Sequence, residues 1–144
     1  MVLGFKTRRF NLAVQEVALK RRFPGSASRI KRSQLTWECD LRPSPLSDTY
    51  RIRCRYKLKH SPKVEVLHPQ LEKRDGERPP HMYSYADQRL CLYLPQVEEW
   101  DGSMLLVNSV VPWACEWLLH YELWLATGEW HAQGEHPGRD DEPE

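Results

Sequence analysis

The sequence predicts an α+β domain with an N-terminal helix, an antiparallel strand meander and C-terminal helices. Three observations predict it. An apolar stripe of helical period lies near the start of the chain, two later segments alternate apolar and polar residues, and an aromatic-rich run from about residue 112 returns to helical spacing. With 144 residues and 40% hydrophobic side chains, the chain can bury one core but not two. We expect one domain over residues 1–132 and a mobile acidic tail over 133–144, where GEHPGRDDEPE lacks apolar anchors.

Taken in order, RFNLAVQEVALKRR (residues 9–22) sets Leu12, Val14, Val17, Ala18 and Leu19 on one stripe, with Gln15, Glu16 and Lys20 outside it. Pro24 and Gly25 stop this helix, and Lys20, Arg21 and Arg22 suit the negative end of its dipole. QLTWECDLR (34–42) and TYRIRCRYKL (49–58) have a period of two: Leu35, Trp37, Cys39 and Leu41, then Tyr50, Ile52, Cys54 and Tyr56, face one way. RPSPLSD between them is a turn composition, and residues 63–67 make a third strand after Ser61-Pro62. Residues 68–90 are irregular, with Pro69, Gly76, Pro79, Pro80 and the solvated run EKRDGER; the following RLCLYLP is apolar and extended. Pro112 then suits the first turn of a helix running to about Ala126, in which Trp113, Trp117, Leu118, Tyr121, Trp124 and Leu125 form a core stripe. The expected packing has the first helix beside a meander of about four strands and the tryptophan-rich helix closing the other side.

Composition narrows the function classes. Arginines interrupt the apolar residues of MVLGFKTRRFNLAV, and no segment approaches the roughly 18 apolar residues of a membrane span, so a cytoplasmic protein with no membrane partner is expected. Cys39, Cys54, Cys91 and Cys115 should then be reduced, leaving one available as a working thiol; Cys39 and Cys54 lie on the core-facing side of their strands. Residues 1–60 carry a net charge of +11 and residues 61–144 a net charge of −10. The basic half suits an acidic surface, but its cations are spread over a helix and strands without a nucleic-acid-binding motif, so nucleic acid is not the expected partner. No pair of cysteines has zinc-ligand spacing, the six histidines are scattered, and no phosphate-cradling glycine loop or Gly-x-Ser-x-Gly elbow is present. No metal or cofactor is implied.

The informative stretch is HMYSYADQRLCLYLPQVEEWDGS, residues 81–103. His81 precedes Cys91 by ten positions, Leu90 and Leu92 flank the cysteine, and Trp100 and Ser103 follow. This resembles the active-site segment of ubiquitin-conjugating enzymes: His-Pro-Asn, a variable turn, an apolar residue, Cys-Leu, then Trp shortly before Ser-Pro. Ser61-Pro62-Lys63-Val64 is similar to the Pro-Pro-Lys-Val that opens a strand in that family. VVPWACEWLLHYELWLATGEW, residues 110–130, resembles the bacterial branch encoded with cyclic-oligonucleotide antiphage systems (CBASS).

The resemblance implies a ubiquitin-conjugating enzyme-like (UBC) fold and a thioester on Cys91. It implies as cargo the C-terminus of a cGAS-like nucleotidyltransferase, with transfer to an amine acceptor in antiphage defence and an activating enzyme as a further partner. The chemistry suits a cysteine, because a thiolate attacks an activated carbonyl readily and is also a good leaving group. Negative charge on the attacked carbonyl needs a fixed donor, which the family supplies with the motif Asn; here Met82 and Tyr83 stand in place of Pro and Asn. Tyr83, Tyr85 or backbone N–H groups are the candidates for that role. His81 is expected to tie the loop together, and Glu98, Glu99 and Asp101 are candidates for orienting an incoming lysine. The basic residues of the first helix, Arg8, Arg9, Lys20, Arg21 and Arg22, are the expected docking surface for a protein partner. The departure from His-Pro-Asn leaves an alternative: a noncatalytic binding module that keeps the fold and holds the nucleotidyltransferase or an activating enzyme.

Overall fold

Asn11 opens the first helix, α1 (Leu12–Arg22), by accepting the amide of Val14 on its side chain at 2.8 Å, which satisfies one of the donors a helix start leaves over. The computed structural model describes residues 9–92 and 100–130. Six strands follow: β1 (Ala27–Lys31), β2 (Gln34–Leu41), β3 (Tyr50–Tyr56), β4 (Lys63–His68), β5 (Met82–Ser84) and β6 (Arg89–Leu90). A 3-10 turn, Leu106–Asn108, leads into α2 (Val110–Thr127), whose third residue is Pro112 and whose end is capped by Gly128 in the left-handed region.

The strands form one antiparallel sheet in the order β1-β2-β3-β4-β6-β5. The class is therefore α+β, with a four-strand meander extended by the β5–β6 hairpin. β2 and β3 pair Leu35 with Tyr56, Trp37 with Cys54 and Cys39 with Ile52, so the alternating apolar residues line one face. Those residues join Leu12 and Leu19 of α1 and Val110, Ala114, Trp117, Leu118 and Tyr121 of α2 in a single buried cluster. Both helices thus share the apolar face. The other face, which the sequence suggested α2 would close, is covered by charged chains: Glu65 accepts Arg53 at 3.1 Å and Arg55 at 2.7 Å, and Arg51 reaches Asp40 at 3.2 Å.

The buried stripe of α1 also differs from its expected composition. Val14 and Val17 are exposed, while Gln15 is fully buried beside Leu12 and Leu19. Its side-chain amide donates to the Met104 carbonyl at 2.9 Å and accepts the Leu106 amide at 2.8 Å. A polar chain replaces an apolar one there because it satisfies two backbone groups that burial would otherwise orphan. Together with the Phe10 amide donating to the Gly102 carbonyl at 2.9 Å, these bonds stitch α1 to the segment that leads into α2.

Candidate active site around Cys91

The β5–β6 hairpin is bolted down at its turn before it reaches the cysteine. Gln88, with φ of 56°, accepts the Leu71 amide on its side chain at 2.6 Å and donates to the Tyr85 carbonyl at 2.9 Å. The Tyr85 hydroxyl donates to the Leu71 carbonyl at 2.6 Å. Its proton is committed to the fold, which leaves Tyr83 as the tyrosine candidate for an oxyanion donor. Tyr83 is 49% exposed, and the Arg89 guanidinium lies 5.5 Å from its ring centre.

Cys91 follows β6 directly, and its amide donates to the carbonyl of His81 at 3.0 Å, continuing the hairpin pairing beyond Met82–Leu90. The indole of Trp117 donates to the same oxygen at 3.0 Å. One carbonyl therefore fastens the Cys91 backbone to α2. His81 has φ of 60°, a left-handed conformation that His tolerates better than most residues. Its ring packs edge-on against Trp130 with centres 5.2 Å apart, and Trp130 meets Trp117 at 5.1 Å. The chain turns at Gly128 to bring Trp130 back onto this cluster.

The four thiols lie in different settings. Cys91 is partly exposed, whereas Cys39 and Cys54 are buried among the core residues. Burial pushes the Cys54 thiol up from 9.0 to about 12. Burial, reinforced by Asp40, also raises Cys39, and burial with a smaller contribution from Cys39 raises Cys115. Burial thus disfavours the thiolate at all three, although Cys115 is, like Cys91, only partly buried.

Trp100 is buried edge-on against Tyr56 at 5.1 Å and donates from its indole to Ser109 at 2.9 Å, so the tryptophan downstream of the cysteine anchors the start of α2. Asp101 accepts the Ser103 amide at 2.7 Å and the Ser103 hydroxyl; those bonds, with Arg9 nearby, hold its carboxyl below the usual range. Glu98 and Glu99 lie outside the described residues. Among the described residues no three His, Cys, Asp or Glu are grouped to hold a metal ion, and no helix is long and apolar enough to cross a membrane.

The basic residues do not form one patch. Arg9 precedes α1 and sits near Asp101, whereas Arg21 and Arg22 lie one helix length away, about 16 Å for eleven residues. The Lys20 ammonium donates to the Ser26 carbonyl, and Arg22 lies 5.0 Å from the Phe23 ring centre. Arg21 instead borders a shallow groove with Ala13, Val14, Val17 and Leu105. Arg8 lies outside the described residues.

The profile of the Type II CBASS E2 protein family matches residues 15–137, a stretch that contains the hairpin, Cys91 and all of α2. The chain belongs to that family. No curated protein matches it. As a Type II CBASS E2 protein it has an E2-like role in CBASS antiviral defence, alongside other proteins of that system. The residues that tie the Cys91 segment of this CBASS E2 protein in place, Trp117 and Trp130, both fall in the 110–130 segment that the sequence singles out, but nothing in the sequence reveals that they pack at Cys91. Trp117 acts through a hydrogen bond to a backbone oxygen, and Trp130 through ring contacts with His81 and Trp117.

Proposed function

We propose that this CBASS E2 protein, a single UBC-like domain over residues 1–132, carries an acyl group as a thioester on Cys91. The observation that carries the reading is the position of Cys91: a partly exposed thiol on a backbone fixed by the His81 carbonyl, while burial raises the other three thiols. The Cys91 thiolate attacks the activated C-terminal carbonyl of a cGAS-like nucleotidyltransferase, presented as an acyl adenylate or thioester, and that leaving group departs. An amine of the acceptor then attacks the new thioester, gives up a proton to solvent and displaces the Cys91 thiolate. Fixing the sulfur in place supplies rate by positioning. Tyr83 is assigned the donor role toward the oxyanion, in place of the motif Asn, and His81 the role of positioning the Cys91 backbone. Cytoplasmic location follows from the same reading.

The test mixes purified protein with its activated cargo and compares gels with and without reducing agent. A reducible adduct is expected on the native protein, a more stable oxyester or none on Cys91→Ser, and none on Cys91→Ala. Cys39→Ala, Cys54→Ala and Cys115→Ala should keep the adduct. Stable association with the cargo that survives Cys91→Ala, with no adduct on the native protein, would establish the noncatalytic binding module instead.

A further inference from the structure

Among the described residues β1 is an open edge of the sheet, and the face beside it is cationic. Arg32 and Ser33, with φ of 55° and 63°, form the two-residue turn that joins β1 to β2, and Lys31 pairs with Gln34 across it. In such a hairpin the flanking pair exchanges both hydrogen bonds, and the pattern alternates from there. Lys31, Arg29 and Ala27 therefore direct their backbone groups toward β2, while Ile30 and Ser28 direct theirs outward. Ser28 bonds through its hydroxyl to Glu16 of α1 at 2.7 Å, which holds the strand against the helix and keeps the edge in place.

Beside this edge, Arg29, Lys31, Arg32, Gln34, Thr36 and Lys57 line an open pocket of about 320 Å³. Four of the six are cations. Among the described residues none of the four forms an ion pair, because the carboxylates of the same sheet face are engaged elsewhere: Glu38 and Asp40 with Arg51, and Glu65 with Arg53 and Arg55. Arg29 and Lys31 are two residues apart on one face, about 6.8 Å, which is the spacing of alternate side chains on any strand laid alongside.

We propose that the β1 edge takes an extended acidic segment of a partner protein as a seventh strand, with its alternate carboxylates set against Arg29, Lys31 and Arg32. Backbone groups of Ser28 and Ile30 supply the hydrogen bonds, and the cations of β1 and its turn, Arg29, Lys31 and Arg32, supply the selection. The same charges repel a second β1, so the edge discriminates against its own copies while accepting an acidic strand. Among the described residues no aromatic side chain lines the pocket, so bases have no stacking platform there, and a polypeptide is the favoured anion. The surface is separate from the thioester site: β1 and β6 are four strands apart, about 19 Å, so a segment held at β1 leaves Cys91 open.

The experiment measures fluorescence anisotropy of a labelled ten-residue peptide in which Glu or Asp alternates with Val or Thr, titrated with the full chain at low and physiological salt. We expect saturable binding that weakens at least tenfold for Arg29→Glu/Lys31→Glu. The same loss is expected with the unaltered protein when the carboxylates of the peptide are replaced by amides, or when alternate peptide nitrogens are methylated so that a strand cannot form. Binding of the methylated peptide as tight as the parent would overturn the added strand. Equal binding of a twelve-nucleotide single strand would overturn the assignment to a polypeptide. A rise in affinity on truncation after Gln133 would overturn the separate partner, making the chain's own Asp140-Asp141-Glu142 stretch the occupant.

Discussion

The carbonyl of His81 and the amide of Cys91, ten positions apart in the chain, are joined by a 3.0 Å hydrogen bond. His81 makes this bond with its own φ at 60°. His81→Asn keeps a residue that tolerates this conformation and should retain adduct formation within a few-fold. His81→Val should lose about 1–2 kcal/mol in a urea titration, since a β-branched residue is strained there, with a larger fall in adduct yield. Equal behaviour of the two variants would mean that the backbone of His81 does not set the position of Cys91.

Gln15 is the second place where backbone satisfaction dominates. Gln15→Leu keeps similar volume but strands the Met104 carbonyl and the Leu106 amide, and should destabilise the protein by about 2–4 kcal/mol. Val14→Ala and Val17→Ala, on the exposed side of the same helix, should each change stability by less than about 1 kcal/mol. Chemical denaturation of the three variants decides this, and a neutral Gln15→Leu would contradict it.

Cys54 makes stability depend on pH at the alkaline end. Its folded thiol is raised from 9.0 to about 12, so the folded chain keeps a proton that the unfolded chain releases. The stabilisation is full below about pH 9 and is lost as pH rises toward 12, at up to about 1.4 kcal/mol per pH unit for one proton. Tyr50, Cys39 and Cys115 are shifted the same way, so the informative quantity is the difference between proteins. Stability of Cys54→Ala measured between pH 9.5 and 11.5 should fall less steeply than that of the native protein; parallel slopes would count against the shift.

Partner docking through α1 gives the last prediction. Charge reversal at both Arg21 and Arg22 should weaken complex formation with a protein partner, and raising the salt concentration should shrink the difference between variant and native protein. Reversal at Arg9, one helix length away, should have a separate and additive effect. Surface-binding kinetics at two ionic strengths would show this, and unchanged affinity for Arg21→Glu/Arg22→Glu would remove the helix end from the docking surface.

The parts of the fold legible in the sequence are those whose burial is one-sided. Tyr50, Ile52, Cys54 and Tyr56 are buried while Arg51, Arg53 and Arg55 between them are not, so β3 announces itself. β1 does not, because an edge strand carrying Arg29, Lys31 and a 41% exposed Ile30 has no apolar face to display. The face of α1 was misread for a related reason: nothing near Gln15 in sequence reveals partners 89 and 91 positions away. At the site, the spacing of His81, Cys91 and Trp100 was readable as a motif. The shared carbonyl and the packing of Trp130 were not, since a backbone oxygen has no sequence signature.

The strand order β4-β6-β5 places β6 inside the sheet, with Glu65 of β4 opposite Arg89 on one side and Met82 of β5 opposite Leu90 on the other. Both flanks of the strand leading to Cys91 are therefore already spoken for by main-chain pairing. A polypeptide arriving at the sulfur cannot zip onto β6 irrespective of its own residues, as it could at β1. β1 thus leaves one flank open to another backbone, whereas β6, paired on both sides, offers a chain reaching Cys91 no ladder to join on that strand.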